Sequence, residues 1–271
     1  MDQPIGSPID MQITWGDKEA FMEVMHGIGG GELALILHSP GGLIEAAQSI
    51  VEYIRSKFSR VTVVVPDAAM SAATLIALSA DRIVMGRQSN LGPIDPQFMV
   101  PLQNAMVPIS AQSLLEEFER AKKEVKADRD HLLVWAPKIQ QYPPGILEEA
   151  KNAMELTRKL GRDWLVKYML REEPNAHEIA NRVVDYLSNH GELKSHAAPI
   201  NRDKLKELGL KVEDLEDDQR LQDLVLSVYH ATRITFQRVP ALKIVENSYG
   251  KAFINLTIPQ SQQAAQQRAG R

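Results

Sequence analysis

The sequence predicts an α/β fold built on parallel strands, and three stretches carry that prediction. Leu33-Ala34-Leu35-Ile36-Leu37 is a continuous aliphatic run of strand length that ends in His38-Ser39-Pro40-Gly41-Gly42 and opens into a helix pattern. Arg60-Val61-Thr62-Val63-Val64-Val65 repeats the plan, stopping at Pro66-Asp67 and passing through Ala68-Ala69-Met70-Ser71 into Ala72-Ala73-Thr74-Leu75-Ile76-Ala77-Leu78. Ala80-Asp81-Arg82-Ile83-Val84-Met85-Gly86 reads as a further strand. Apolar runs without polar alternation are expected of parallel strands covered on both faces, and parallel strands need helical crossovers between them.

The two turns are the chemically interesting part. Glycine lets the chain turn where a Cβ would clash, and two in succession before a helix leave N–H groups without helical partners, ready to hold an anion or oxyanion. Ser71 opens its helix between small neighbours, at the positive end of the helix dipole. The plainer role for a serine there is an N-cap, its hydroxyl accepting a backbone N–H. The recurrence of strand, Gly-rich or Ser-containing turn and helix favours a nucleophile instead.

On these residues the segment resembles the Clp protease and crotonase superfamily. Leu35-Ile36-Leu37-His38-Ser39-Pro40-Gly41-Gly42, Ala69-Met70-Ser71-Ala72-Ala73-Thr74 and Leu91-Gly92-Pro93-Ile94-Asp95-Pro96-Gln97 are similar to signatures of the signal peptide peptidase A-like serine peptidases, and within them the serine dehydrogenase proteinases. Ala72-Ala73 departs from the commoner Ala-Gly or Gly-Gly. The resemblance implies a Clp/crotonase-like spiral of parallel strands and helices with a helical C-terminal extension. It also implies a peptidase with Ser71 as nucleophile and the amides of Gly41 or Gly42 and Ala72 as oxyanion hole. The same two-donor hole would serve a crotonase-type acyl-CoA enzyme, but that chemistry needs an acidic base in place of a helix-opening serine. A catalytically inactive oligomeric scaffold of the same fold is the other alternative.

Composition narrows the classes. A chain of 271 residues with 44% hydrophobic composition can bury a full-sized core. The net charge of −4 gives no footprint for nucleic acid, and the absence of cysteine removes thiolate metal sites and cysteine nucleophiles. His190 and His196 fit neither one helix face nor a metal motif, so no metal is expected, and the resembled chemistry requires no cofactor. Gly27-Ile28-Gly29-Gly30-Gly31 precedes a strand where a phosphate loop would follow one, and reads as a flexible loop. No apolar run approaches the roughly 18 residues of a membrane span and no signal-peptide pattern is present, so a cytoplasmic protein is expected. Family members often carry an N-terminal membrane segment, so membrane association would come only through a segment upstream of this chain.

The general base is harder to read. Clp-type relatives supply a histidine near Leu91–Gln97, whereas this chain has none between His38 and His131. Asp95 stands near that position, where a carboxylate would need burial to act as a base near neutral pH and a turn role is plainer. A Ser-Lys dyad, as the resemblance implies, needs a buried lysine after the serine. Ser113–Ala127 has a helical apolar stripe of Leu114, Phe118, Ala121 and Val125; Lys122 flanks it and Lys123 faces away. Lys138, Lys151 and Lys167 are also eligible, and neighbouring glutamates make a solvated ion-pairing face the plainer role for the Lys122 and Lys123 pair. His38, Asp95 and His196 are candidate supporting residues; Ser195-His196-Ala197 resembles a recurrent family loop, and a loop-anchoring histidine is the plainer reading.

The expected organisation is residues 1–30 as an N-terminal segment and first helix with an upstream strand missing, 31–190 as the catalytic core, 191–258 as a C-terminal helical and strand extension, and 259–271 as a disordered tail. Superfamily analogy implies a homo-oligomer with contacts from the C-terminal elements. Its closed architecture implies unfolded or flexible polypeptide substrates.

Overall fold

The computed structural model describes residues 11–102, 105–193 and 195–257. The expected extended start and frayed tail fall largely outside these residues.

Helix α1 (Trp15–Val24) starts where Asp17 accepts Thr14 N–H at 2.6 Å and Asp17 N–H donates to the Thr14 carbonyl at 3.0 Å. Strand β1 (Glu32–Ile36), helix α2 (Ile44–Lys57), strand β2 (Arg60–Val65), the short β3 (Ala68–Ala69), helix α3 (Ala72–Leu78), β4 (Arg82–Met85) and β5 (Asn90–Leu91) follow in the order the apolar runs predict. A hairpin of β6 (Gln97–Leu102) and β7 (Ala105–Ser110) then leads to α4 (Ala111–Ala127), α5 (Leu132–Ile139), the long α6 (Ile146–Lys167), α7 (Ala176–Ser188) and the short α8 (His190–Leu193). The chain continues through β8 (Ile200–Asn201), α9 (Arg202–Glu207), β9 (Val212–Asp214) and α10 (Gln219–Arg238) to a hairpin of β10 (Ala241–Glu246) and β11 (Ala252–Leu256).

The main sheet is parallel throughout, in the order β1-β2-β4-β9, and a smaller sheet has the order β3-β5-β8. One face of the main sheet packs Val61, Val63 and Val65 into the large core with Ile50, Ile54, Leu75, Leu165 and Val183. On the other face Val64 and Val84 meet Leu215 and Val225, so α10 lies over it.

One expectation needs correction. β1 is not covered on both faces: it pairs only with β2 at the sheet edge, and Ala34 and Ile36 are exposed. β8 and β9, from residues beyond 190, add a strand to each of the two sheets. The β6-β7 hairpin was not legible from its turn-rich sequence.

An arm stands apart from the main core. Val100, Ala111, Leu114, Ile146 and Ala150 form a second cluster between the β6-β7 hairpin, α4 and the start of α6. Helix α6 continues into the main core, where Leu160, Trp164 and Leu165 are buried. Trp135 on α5 donates to Glu124 at 2.7 Å, and Glu117 receives both Lys138 and Tyr142. Burial works against the Glu117 carboxylate, but these donors hold it below its ordinary range; burial and Glu117 together push the Tyr142 phenol up.

Candidate active site

Ser71 is the only described residue other than glycine with positive φ, at φ 53° and ψ −119°. A side chain in that backbone region is strained, and the surrounding contacts must enforce it. Met70 N–H donates to Ser39 O at 3.0 Å, Ala73 N–H to Met70 O at 2.9 Å and Leu75 N–H to Ser71 O at 3.2 Å, so both sides of the residue are pinned. Beneath it the buried Thr74 hydroxyl lies 2.8 Å from Ala69 O and 2.9 Å from Gly92 O, and accepts Gly92 N–H at 3.1 Å. The Ser71 hydroxyl makes no capping bond, so the plainer sequence role is not the one adopted. It is partly open to solvent, in a sharp turn between a strand and a helix, the arrangement of a nucleophile elbow.

The Gly41-Gly42 turn is pressed against that serine. A Cβ on Gly41 would come within 2.5 Å of Met70 O and 2.7 Å of Ser71 Cβ. On its other side the turn pairs with Ile13: Ile13 N–H donates to Gly41 O at 2.7 Å and Leu43 N–H to Ile13 O at 2.9 Å. In such a parallel bridge the straddled residue, Gly42, directs its own N–H away from Ile13. Among the described residues neither Gly42 N–H nor Ala72 N–H, the first amide of α3, has an acceptor. Gly41 N–H, by contrast, donates to Ser39 Oγ at 3.1 Å and is already used.

Asp95 and His196 come together. His196 Nδ1 lies 2.7 Å from Asp95 Oδ1, with the carboxylate buried and the imidazole partly exposed. The three-stranded sheet places them: Ala69 of β3 pairs with Leu91 of β5, and Leu91 pairs with Ile200 of antiparallel β8. Continuing past Ala69 leads to Ser71, past Leu91 to Asp95, and back from Ile200 to His196, so all three leave the same end of the sheet. Gln97 Nε2 also donates to Asp95 Oδ2 at 2.9 Å.

His38 faces Asp67 and the Ala68 amide at the end of β2. Its Nδ1 accepts Ala68 N–H at 3.3 Å, its ring meets Tyr229 edge-on at 5.3 Å, and Tyr229 donates to Asp67 at 2.6 Å. Burial lowers the imidazole below its ordinary value, with Asp67 opposing and Arg233 reinforcing the shift.

The lysines lie elsewhere. Lys122, Lys123, Lys138, Lys151 and Lys167 are all exposed. Lys122 pairs with Glu119 at 2.8 Å, Lys138 with Glu117, and Lys167 sits over the Tyr168 ring. None hydrogen-bonds to a residue of the Ser71 or Gly41-Gly42 turns. Thr74 and Ile13 are the two supporting residues to which the sequence alone assigns no role. A hydroxyl three residues into a helix that follows a short strand is the available signal for the first; nothing local marks the second.

Strand, turn and helix geometry around Ser71 define a ClpP-like α/β core with a serine elbow. The chain belongs to the ClpP-like SDH-type serine proteinase family, whose model matches residues 4–231. It is 32% identical over 209 residues to the uncharacterized protein MJ1495 of Methanocaldococcus jannaschii, covering 77% of this chain and 61% of that one. Over the same length it is 31% identical to the uncharacterized protein MJ0137 of that organism, covering 63% of it. The chain thus spans less than two thirds of these relatives. Among solved structures, a mutant of a membrane-bound stomatin-specific protease aligns at TM-score 0.42 and 16% identity, covering 74% of each chain. A ClpP1 mutant from Listeria monocytogenes aligns at TM-score 0.41 and 12% identity, covering 78% of this chain and 90% of that one. Among the described residues no helix is long and apolar enough to cross a membrane.

Proposed function

We propose that this chain is a serine peptidase in which Ser71 attacks the carbonyl carbon of a peptide bond. The observation that carries the reading is the strained Ser71 backbone at φ 53°, with a hydroxyl that caps nothing. Gly42 and Ala72 N–H groups would hold the oxyanion as it forms, since neither has an acceptor among the described residues.

The proton from Ser71 Oγ would pass to His196, whose Nδ1 is oriented by buried Asp95 in the manner of a base and its orienting carboxylate. The C–N bond then breaks, His196 returns the proton to the departing amine, and water hydrolyses the acyl-enzyme by the same route in reverse. The lysine alternative needs one of the exposed arm ammoniums to be desolvated against Ser71. A neighbouring copy in a homo-oligomer would have to supply that burial. A partly buried serine favours unfolded or flexible substrate segments over folded ones.

Casein hydrolysis by the wild type, Ser71→Ala, His196→Gln and Asp95→Asn tests the reading. Loss of activity in the first two variants, with unchanged melting, supports it; a large but incomplete loss is expected for Asp95→Asn. An inactive wild type, or a Ser71→Ala variant that cleaves as well, would leave the scaffold reading in its place.

A further inference from the structure

We propose that Lys243, on the C-terminal hairpin and far from Ser71 in sequence, is a positioning residue that sets the direction of the Gly42 amide. The proposal rests on the peptidase reading for its catalytic consequence, but its mechanical part does not.

The N-terminal segment Gln12–Asp17 is held by one side chain. Lys243 Nζ donates to Gln12 O at 2.8 Å and Asp17 Oδ2 at 2.7 Å, and reaches Thr14 Oγ1 at 3.3 Å. Both partners of the ion pair are mostly buried, with side chains 15% and 12% exposed. A buried pair of this kind is costly to break, because the survivor is left charged and unpaired. Asp17 is also committed to α1: it accepts the N–H of the N-cap Thr14 at 2.6 Å. Lysine, aspartate and the start of α1 therefore form one rigid unit.

Ile13 lies inside that unit, and its backbone is what the Gly41-Gly42 turn pairs with. The peptide plane between Gly41 and Gly42 has its carbonyl fixed by Ile13 N–H at 2.7 Å. In a trans peptide the N–H points opposite to the carbonyl, so fixing Gly41 O fixes the direction of Gly42 N–H. Gly42 is at φ +153° with Ile13 Cα 2.8 Å from where its Cβ would lie, so the pairing is close. Two glycines in a row give the turn the freedom to rotate this peptide, and Ile13 is the restraint that removes it. Release of Gln12 O by the lysine would loosen Ile13 and let the oxyanion donor swing away.

The test compares the wild type with Lys243→Met, which keeps the apolar stem, Lys243→Arg, which keeps the charge and donors, and Lys251→Met as a control on the same hairpin. Hydrogen exchange at the amides of Ile13 and Leu43 reads the coupling without reference to catalysis. It is expected to rise in Lys243→Met, to recover largely in Lys243→Arg and to stay at the wild-type level in Lys251→Met. In parallel, kcat on a peptide substrate should fall on the order of tenfold or more in Lys243→Met with KM little changed. Affinity for a peptide aldehyde, which forms the oxyanion on Ser71, should weaken by the same factor. A merely structural role would lower the melting temperature without that split. Folded Lys243→Met with wild-type exchange overturns the proposal, as does faster exchange with unchanged kcat and aldehyde affinity. An inactive wild type that binds no aldehyde defeats the peptidase reading; the proposal then loses its catalytic half, and unchanged exchange in Lys243→Met would remove the mechanical half as well.

Discussion

Two glycines with positive φ show how differently the molecule treats its two halves. Gly42, at the Ser71 turn, is pressed on by the Ile13 backbone; Gly145, which precedes α6 in the arm, has φ +84° and no atom within 4 Å of where a Cβ would sit. The turn region is fixed from several directions, by Ile13, Ser39, Met70 and Thr74. The arm is held chiefly by a small apolar cluster and polar pairs around Glu117 and Glu124, and it exposes Leu132, Leu133 and Val134. Chemistry that needs sub-ångström placement belongs in the first kind of region. The second kind suits contact with another surface.

The largest effect that would break this contrast is on activity. Gly42→Ala should lose peptidase activity by roughly 100-fold or more, since the new methyl group displaces Ile13 and turns the amide proposed as oxyanion donor. Gly145→Ala, facing open space, should cost only about 1 kcal/mol of backbone strain and leave kcat unchanged. Equal activities in the two variants would remove the distinction.

A smaller effect separates the two cores. Leu114 is fully buried in the arm cluster, and Leu114→Ala should cost about 2–5 kcal/mol of local stability. Hydrogen exchange should accelerate in α4 and the β6-β7 hairpin while the amides of β2 and β4 keep their protection. Uniform acceleration across both would make the arm part of one cooperative core.

How much of this was legible in the sequence follows the same division. The strand and helix runs from Leu33 to Met85 and the Gly41-Gly42 and Ser71 turns could be read locally, because parallel strands announce themselves as apolar runs and the turns by small residues. The Asp95–His196 contact could not: it joins residues 101 apart in sequence, through the register of β5 against β8. Asp95 near a Pro and His196 in a polar loop each look like turn chemistry until the strands are paired. Helix periodicity places Lys122 and Lys123 on α4 but carries no information about where the arm stands relative to Ser71.

A subtler outcome concerns His38, which accepts the Ala68 N–H and packs against Tyr229. Because burial holds its folded value below the unfolded one of about 6.5, the unfolded chain takes up the proton more readily. Its contribution to stability is therefore present above about pH 6.5 and is lost as pH falls through the folded value. The melting temperature should drop between pH 7.5 and 5.5, and His38→Gln should flatten part of that slope. Tyr229→Phe, which removes the bond to Asp67, should change the slope less than His38→Gln does. A wild-type slope that survives His38→Gln intact would assign the pH dependence to other groups.

The smallest expected effect is also the one that most sharpens the contrast. Lys122→Ala, Lys123→Ala, Lys138→Ala and Lys151→Ala each remove an exposed ammonium from the arm, and surface pairs such as Lys122–Glu119 contribute about 0–1 kcal/mol. With His196 as base, all four variants should cleave casein within about twofold of the wild type, since removing a general base would instead cost roughly 100-fold or more. If one variant abolishes cleavage while melting normally and His196→Gln remains active, the base belongs to the arm. The arm's exposed apolar residues would then have a purpose beyond contact, because only a surface packed over that lysine could strip the water that keeps it charged.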